Sequence, residues 1–365
     1  MDPRAQHMAT VLVNYCLGVR PGWWVLIWSH LPGEPLVVAC TEEILRAGAN
    51  PSVLFNSEEN QEAFLREAND EQLRFLDPMG RVGIEQADAL INIRATGNSR
   101  TLSSVDPARI ALREKAREPL IETYMSRFID DYRLTITEFP TNGSAQDAGM
   151  SLRQYEDFVY GAALLNEPDP VTAWADLGRR LNHLVEWLKD KSEVHITGEG
   201  TDLRVGVGGR TWVADDGHLN FPGGEVFTGP REDGVEGTVT FNTPGYYQGN
   251  EVSGVRLRYE AGKVVDATAT ANEAFLHRML EMDDGARRLG EFAFGANPNI
   301  QKFTRNVLFD EKIGGTLHMA LGRSIPQTRG ENMSALHWDM VYDLRGGAEV
   351  TVDGRLFSRG GQFQV

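Results

Sequence analysis

The alternation of apolar runs with helix-periodic segments stops near residue 190, and this break constrains the fold more than any other feature of the chain. Before it, a continuous apolar run at 23–28 follows Pro21-Gly22, as in a strand buried on both faces. Residues 35–47 then carry helical periodicity and end at Gly48. Strand-like segments recur at 51–55, 87–94 and 134–139, with helical segments at 61–75 and from Asp106-Pro107 to about 128. Asp as N-cap with Pro at the first helical position marks that last start. Strands alternating with helices imply a mostly parallel sheet. Two more helices are expected at 151–165 and 171–189. From Ser192 onward the segments are short, β-rich and punctuated by glycine: 194–197, 203–207, 237–242, 252–259 and 264–270. Gly262-Lys263 and Asp353-Gly354 read as hairpin turns. The expected architecture is an α/β domain with a mostly parallel sheet over 1–190, then an α+β domain rich in antiparallel strands over 191–365. A chain of 365 residues is long enough for two cores.

A formal charge of -16 argues against general nucleic-acid binding and against anionic membrane surfaces. The N-terminal residues 1–6 hold Asp2 and Arg4 and no apolar core, so no secretory signal is read there. The apolar stretch 36–40 is far too short to span a bilayer. Cys16 and Cys40 give no disulfide framework and no zinc-finger spacing, and are expected to be reduced thiols of a cytoplasmic protein. Glycines 206–209 lack the strand–turn–helix setting of a phosphate loop and read as turns.

Five acidic or imidazole residues of the second half stand in apolar surroundings. His337 and Asp339 are two apart in a strand-like run, so both project from one face. Glu225 heads a short strand bracketed by Pro222-Gly223-Gly224 and Gly229-Pro230. Glu291 lies within Leu289-Gly290-Glu291-Phe292-Ala293-Phe294, and His318 within Thr316-Leu317-His318-Met319-Ala320. A lone carboxylate in a strand usually faces solvent, and a lone apolar-segment histidine usually bonds a backbone carbonyl. Five together fit cations better, because an unpaired buried carboxylate costs several kcal/mol. Three carboxylates are balanced by two divalent ions and one hydroxide, which suits a two-metal centre.

The stretches Thr201-Asp202-Leu203, Gly224 through Pro230, Gly285 through Glu291, Leu308 through His318 and Asn332 through Arg345 resemble the aminopeptidase T/aminopeptidase S family of metallo-aminopeptidases. The resemblance covers nearly the whole chain. It implies that Glu225, Glu291, His318, His337 and Asp339 are the metal ligands, and it implies a homodimer with its active sites facing an enclosed cavity. One position departs. The family's catalytic tyrosine, seven residues after the first ligand histidine, is here Ile325, followed by Pro326. Loss of such a donor costs about 2.7–4 kcal/mol by analogy with an oxyanion-hole group. Arg323, Lys312 and Tyr342 are the candidates to replace it.

The leading expectation is an aminopeptidase acting on short peptides through water activated by two divalent ions (Zn, Co or Mg). Glu291 or Glu311 would carry the proton to the leaving amine, with Arg323 as a further catalytic candidate. Glu311 has a plainer reading as the partner of Lys312. Two alternatives stand beside this. His318, His337 and Asp339 also compose a two-His-one-carboxylate set for Fe(II), and some relatives of the family are ring-cleaving dioxygenases of dihydroxypyridine-type substrates. The third reading is a non-catalytic, metal-stabilised binding protein, although a structural site needs only four ligands.

Overall fold

A computed structural model describes residues 2–130 and 133–365. Its contacts divide the chain into two compact units. The first unit, Met1–Ala173 with Gly217–Pro222, is built on a five-stranded parallel sheet. The strands stand in the order Asn50–Asn56, Trp24–His30, Ala89–Arg94, Arg133–Glu138 and Asn220–Phe221. Val25, Leu26 and Ile27 are consecutive buried residues, as a central parallel strand requires. The helix expected over 35–47 is Glu34–Arg46. The one expected over 61–75 is broken into Glu58–Glu67 and Asp70–Arg74. Asn69 causes the break: it accepts the Gln72 N–H while the Gln72 side chain accepts the Asn69 N–H, a reciprocal cap that starts a new helix.

The second unit, Trp174–Asp216 with Gly223–Val365, holds an eight-stranded and a five-stranded antiparallel sheet. The texture break near residue 190 and the contact division therefore differ, for two reasons. The helix Pro170–Leu188 buries Trp174, Leu177, Leu181, Leu184 and Leu188 on one stripe, and its Trp187 stacks on Phe357 at 5.1 Å, so it packs with the C-terminal strands. Residues Gly217–Pro222 return to the first unit, where Ile136 and Thr137 pair with Asn220 and Phe221. Both hairpins are present; the second turns at the expected Asp353-Gly354, and the first at Ala261-Gly262, one residue earlier than expected, because Lys263 already pairs with Glu260. Cys16 and Cys40 are buried and not joined by a disulfide. Among the described residues no helix is long and apolar enough to cross a membrane.

Candidate metal centre

The five-stranded sheet of the second unit carries all five expected ligands on one face. Its strands are ordered His337–Asp343, Thr316–Gly322, Leu289–Gly295, Glu225–Thr228 and Val213–Asp215, every neighbour antiparallel. Residues directly opposite in such a sheet share a face. Asp215 pairs with Glu225, and Glu225 with Gly295. Ala293 pairs with His318, and Ala320 lies between Glu291 and Asp339. Gly322 pairs with His337. The candidate ligands are thus interleaved with glycine and alanine, which leaves the middle of the face open. The opposite face presents Val226, Phe292, Phe294, Leu317, Met319, Leu321, Trp338 and Met340, all buried. Period-two alternation separates the two chemistries.

Two glycines make this face possible. A bulge between Leu289 and Glu291 contains Gly290, where a Cβ would stand 2.1 Å from the Arg323 carbonyl oxygen. Gly224, at φ +117, lets the chain turn into Glu225 against Asn297. Beside the sheet, Asp310 accepts bonds from the Thr304 N–H and hydroxyl at 2.7 and 2.8 Å, fixing the loop that delivers Glu311 and Lys312.

The cluster is organised about Glu291. Its Oε1 lies 3.5 Å from His318 Nε2 and its Oε2 lies 3.4 Å from His337 Nε2. Glu225 Oε2 is 3.6 Å from His318 Nε2, and Asp339 Oδ2 is 3.5 Å from His337 Nε2. Two groups able to hold a cation result, Glu225–Glu291–His318 and Glu291–His337–Asp339. A further group joins Glu311, His318 and Asp339. His318 Nδ1 donates to the Glu311 carbonyl at 3.0 Å, and His337 Nδ1 donates to the Arg323 carbonyl at 2.9 Å. Each bond fixes the tautomer and turns Nε2 inward, as ligating histidines require. Glu225 Oε2, His318 Nε2 and Asp339 Oδ1 are buried with no hydrogen-bond partner. Orphaned buried donors and acceptors are costly, and a divalent cation on this oxygen and nitrogen set would satisfy them.

The electrostatics agree with the geometry. Burial pushes the Glu225 carboxyl well above the usual range, against the pull of Lys312 and His318. Burial also opposes ionisation of Glu291, but the facing imidazoles of His318 and His337, 3.5 and 3.4 Å away, outweigh it and bring that carboxyl down to about 2. Burial raises Asp339 to about 6, against the pull of His337. Burial disfavours the charged imidazole of His318, yet the Glu291 carboxylate 3.5 Å away and the other nearby carboxylates raise it to about 10. His337 is likewise raised to about 10, burial being overcome by Asp339 and Glu291. With 36% of its side chain exposed, His337 is screened by solvent more than His318, so its shift counts for less. A face that draws protons this strongly is one that cations would occupy in their place.

The remaining sequence candidates fall in different places. Glu311 joins the centre, 15% exposed and bonded to Lys312 at 2.6 Å. Arg323 is exposed, and its guanidinium donates to the Ser334 carbonyl at 2.9 Å; its carbonyl, not its side chain, reaches His337. Tyr342 pairs with Leu317 on the apolar face, so it cannot stand in for a tyrosine at 325. Ile325 caps the short helix Pro326–Thr328 and its carbonyl accepts the Thr328 hydroxyl. Among the described residues His318 and His337 fall in separate groups of three, each with two carboxylates. Two further neighbours were not among the sequence candidates. Asp215 is fully buried beside Lys312 at 3.7 Å. Tyr247 lies with its ring 5.6 Å from that of Trp338, next to the His337 backbone. Neither carries a local sequence signal: cross-strand register brings Asp215 here, and packing of the 245–252 hairpin on Trp338 brings Tyr247.

The sequence profile of the thermophilic metalloproteases (M29) matches residues 1–363. The chain belongs to the M29 family. This M29 chain is therefore a metallopeptidase, a hydrolase that works with divalent metal. It is 29% identical to Aminopeptidase 2 of Geobacillus stearothermophilus over 95% of its length and 92% of that protein's. It is 30% identical to Aminopeptidase T of Thermus aquaticus, covering 72% of each. Among solved structures, wild-type AmpT from Thermus thermophilus shares the fold at a TM-score of 0.86 and 24% identity, covering 100% of this chain and 99% of that one. A 2,5-dihydroxypyridine dioxygenase from Pseudomonas putida aligns at a TM-score of 0.64 and 16% identity, covering 98% and 96%, a likeness of fold alone.

Proposed function

We propose that this M29 enzyme is an aminopeptidase that releases N-terminal residues from short peptides at a two-metal centre. The position of Glu291 carries the reading: one carboxylate presents its two oxygens to two different imidazoles. Glu225, Glu291 and His318 would hold one ion, and Glu291, His337 and Asp339 the other. When bound, divalent ions such as Zn, Co or Mg supply Lewis acidity toward the scissile carbonyl and lower the pKa of water. Ala293, Gly295, Ala320 and Gly322 leave the face open for the peptide backbone. Glu311 is partly exposed beside His318 and Asp339, so its carboxylate takes a proton from water and passes it to the leaving amine. The same reading includes a homodimer and a cytoplasmic setting, as the family resemblance implies.

The test uses full-length protein stripped with chelator and reconstituted with zinc, cobalt or magnesium. Release of p-nitroaniline from leucine-p-nitroanilide, restored by metal and absent with an N-acetylated substrate, supports an aminopeptidase. One iron per chain with oxygen uptake on a hydroxypyridine would overturn it, as would absence of turnover on every peptide with a free N-terminus.

A further inference from the structure

The ammonium of Lys312 cannot ligate a cation, yet it sits inside the acidic cluster with none of its side chain exposed. Its Nζ lies 2.6 Å from Glu311 Oε1, 3.1 Å from Glu225 Oε1 and 3.7 Å from Asp215 Oδ2. The backbone holds it there: its N–H donates to the Phe309 carbonyl and its own carbonyl accepts the Asn297 N–H, both at 3.0 Å. A buried ammonium loses its hydration at a cost of several kcal/mol, which only well-placed anions offset.

What Lys312 does to its partners is specific. Glu225 gives Oε1 to Lys312 and keeps Oε2 unbonded, 3.6 Å from His318 Nε2. Glu311 gives Oε1 to Lys312 while its carboxylate stays within ligand distance of His318 and Asp339. Each carboxylate is held from behind and presents one oxygen. The charge count agrees. Asp215, Glu225, Glu291, Glu311 and Asp339 bring five negative charges when ionised; Lys312 cancels one and two divalent ions cancel the rest.

We infer that Lys312 is a positioning residue, a built-in cation that makes Glu225 a one-oxygen ligand, aims Glu311, and matches the charge of the centre to two divalent ions. The inference rests on the two-metal reading above, and Lys312 acts through Glu225 and Glu311 rather than on substrate.

The experiment is zinc titration calorimetry, with elemental analysis, on chelator-stripped full-length protein. It compares wild type, Lys312→Met, and the Lys312→Met/Asp215→Asn double variant, which removes one positive and one negative charge together. Outer-sphere losses of this kind weaken metal binding by roughly 10–100-fold. In both variants the ion of the Glu225–Glu291–His318 group should weaken by about that factor, while the ion of the Glu291–His337–Asp339 group keeps wild-type affinity. On leucine-p-nitroanilide, kcat should fall with KM little changed. Should Lys312→Met fail to fold, the charge-matched double variant carries the same test. Wild-type affinity for both ions, equal weakening of both, or tighter binding at either would overturn the inference. So would a lower melting temperature of the metal-free variants with both affinities intact. Wild type that binds two ions but cleaves no peptide would sink the peptidase reading and leave Lys312's role standing.

Discussion

His318 donates its Nδ1–H to the backbone carbonyl of Glu311 across 3.0 Å. A carbonyl carries no proton, so Nδ1 must hold the hydrogen, and Nε2 is the atom turned to the acidic cluster, where a bound cation would replace its proton. The same residue that aims the imidazole through its backbone presents a carboxylate to the centre through its side chain. Glu311→Gln separates the two roles, since the carbonyl survives the substitution. Metal content should stay at the wild-type value, while kcat falls roughly 10²–10⁴-fold, the range for a lost general acid–base. Elemental analysis beside steady-state kinetics checks it. Loss of metal along with rate would make Glu311 a ligand.

Asp339→Ala removes a carboxylate that sits 3.5 Å from His337 Nε2 and faces it from the same strand. The ion shared with Glu291 and His337 should be lost, and activity should fall by at least about 100-fold, the upper end for mere outer-sphere damage. Retention of full metal content or of activity would place the centre elsewhere.

Ile325→Tyr asks whether the departure from the family pattern is a catalytic loss. Tyr342 cannot compensate from the apolar face, and Lys312 is occupied by three carboxylates. A restored phenol should raise kcat on leucine-p-nitroanilide, up to about 10²–10³-fold for an oxyanion donor. An unchanged rate would show that this chain needs no phenol at that position.

The metal-free protein should lose stability as pH rises from about 6.5 to about 10. His318 and His337 are raised from 6.5 to about 10, so the folded state binds more protons than the unfolded chain within that window. Their contribution is complete below 6.5 and is lost through about 10, His318 giving the larger share because solvent screens His337. Bound divalent ions hold both imidazoles neutral, so the metal-loaded protein should show no such slope and metal affinity should rise with pH. Thermal melts at stepped pH, with and without zinc, read both. A metal-free melting temperature that climbs across this window contradicts the assignment.

The candidate site residues were legible because their chemistry clashes with their local pattern. His337-Trp338-Asp339 alternates polar and apolar at strand period, and Glu291 interrupts an apolar run. The parallel sheet of the first unit was legible from runs such as Val25-Leu26-Ile27. The partner of each charge was not. Asp215 reaches Lys312 only because its strand pairs with Glu225, and Tyr247 reaches His337 from a hairpin whose sequence carries no mark of it. The strand Asn220–Phe221 was invisible because two residues show no period. The helix Pro170–Leu188 was seen, but which core its stripe would join was not, since periodicity names a face and not its neighbour.

The measurement closest to the central claim is the zinc content of full-length wild type and Glu291→Ala after reconstitution and removal of unbound metal. Glu291 turns one oxygen to each imidazole, so its loss should damage both groups at once. The account predicts two zinc ions per wild-type chain and fewer than one in Glu291→Ala. One ion in wild type, or two retained without Glu291, would contradict it.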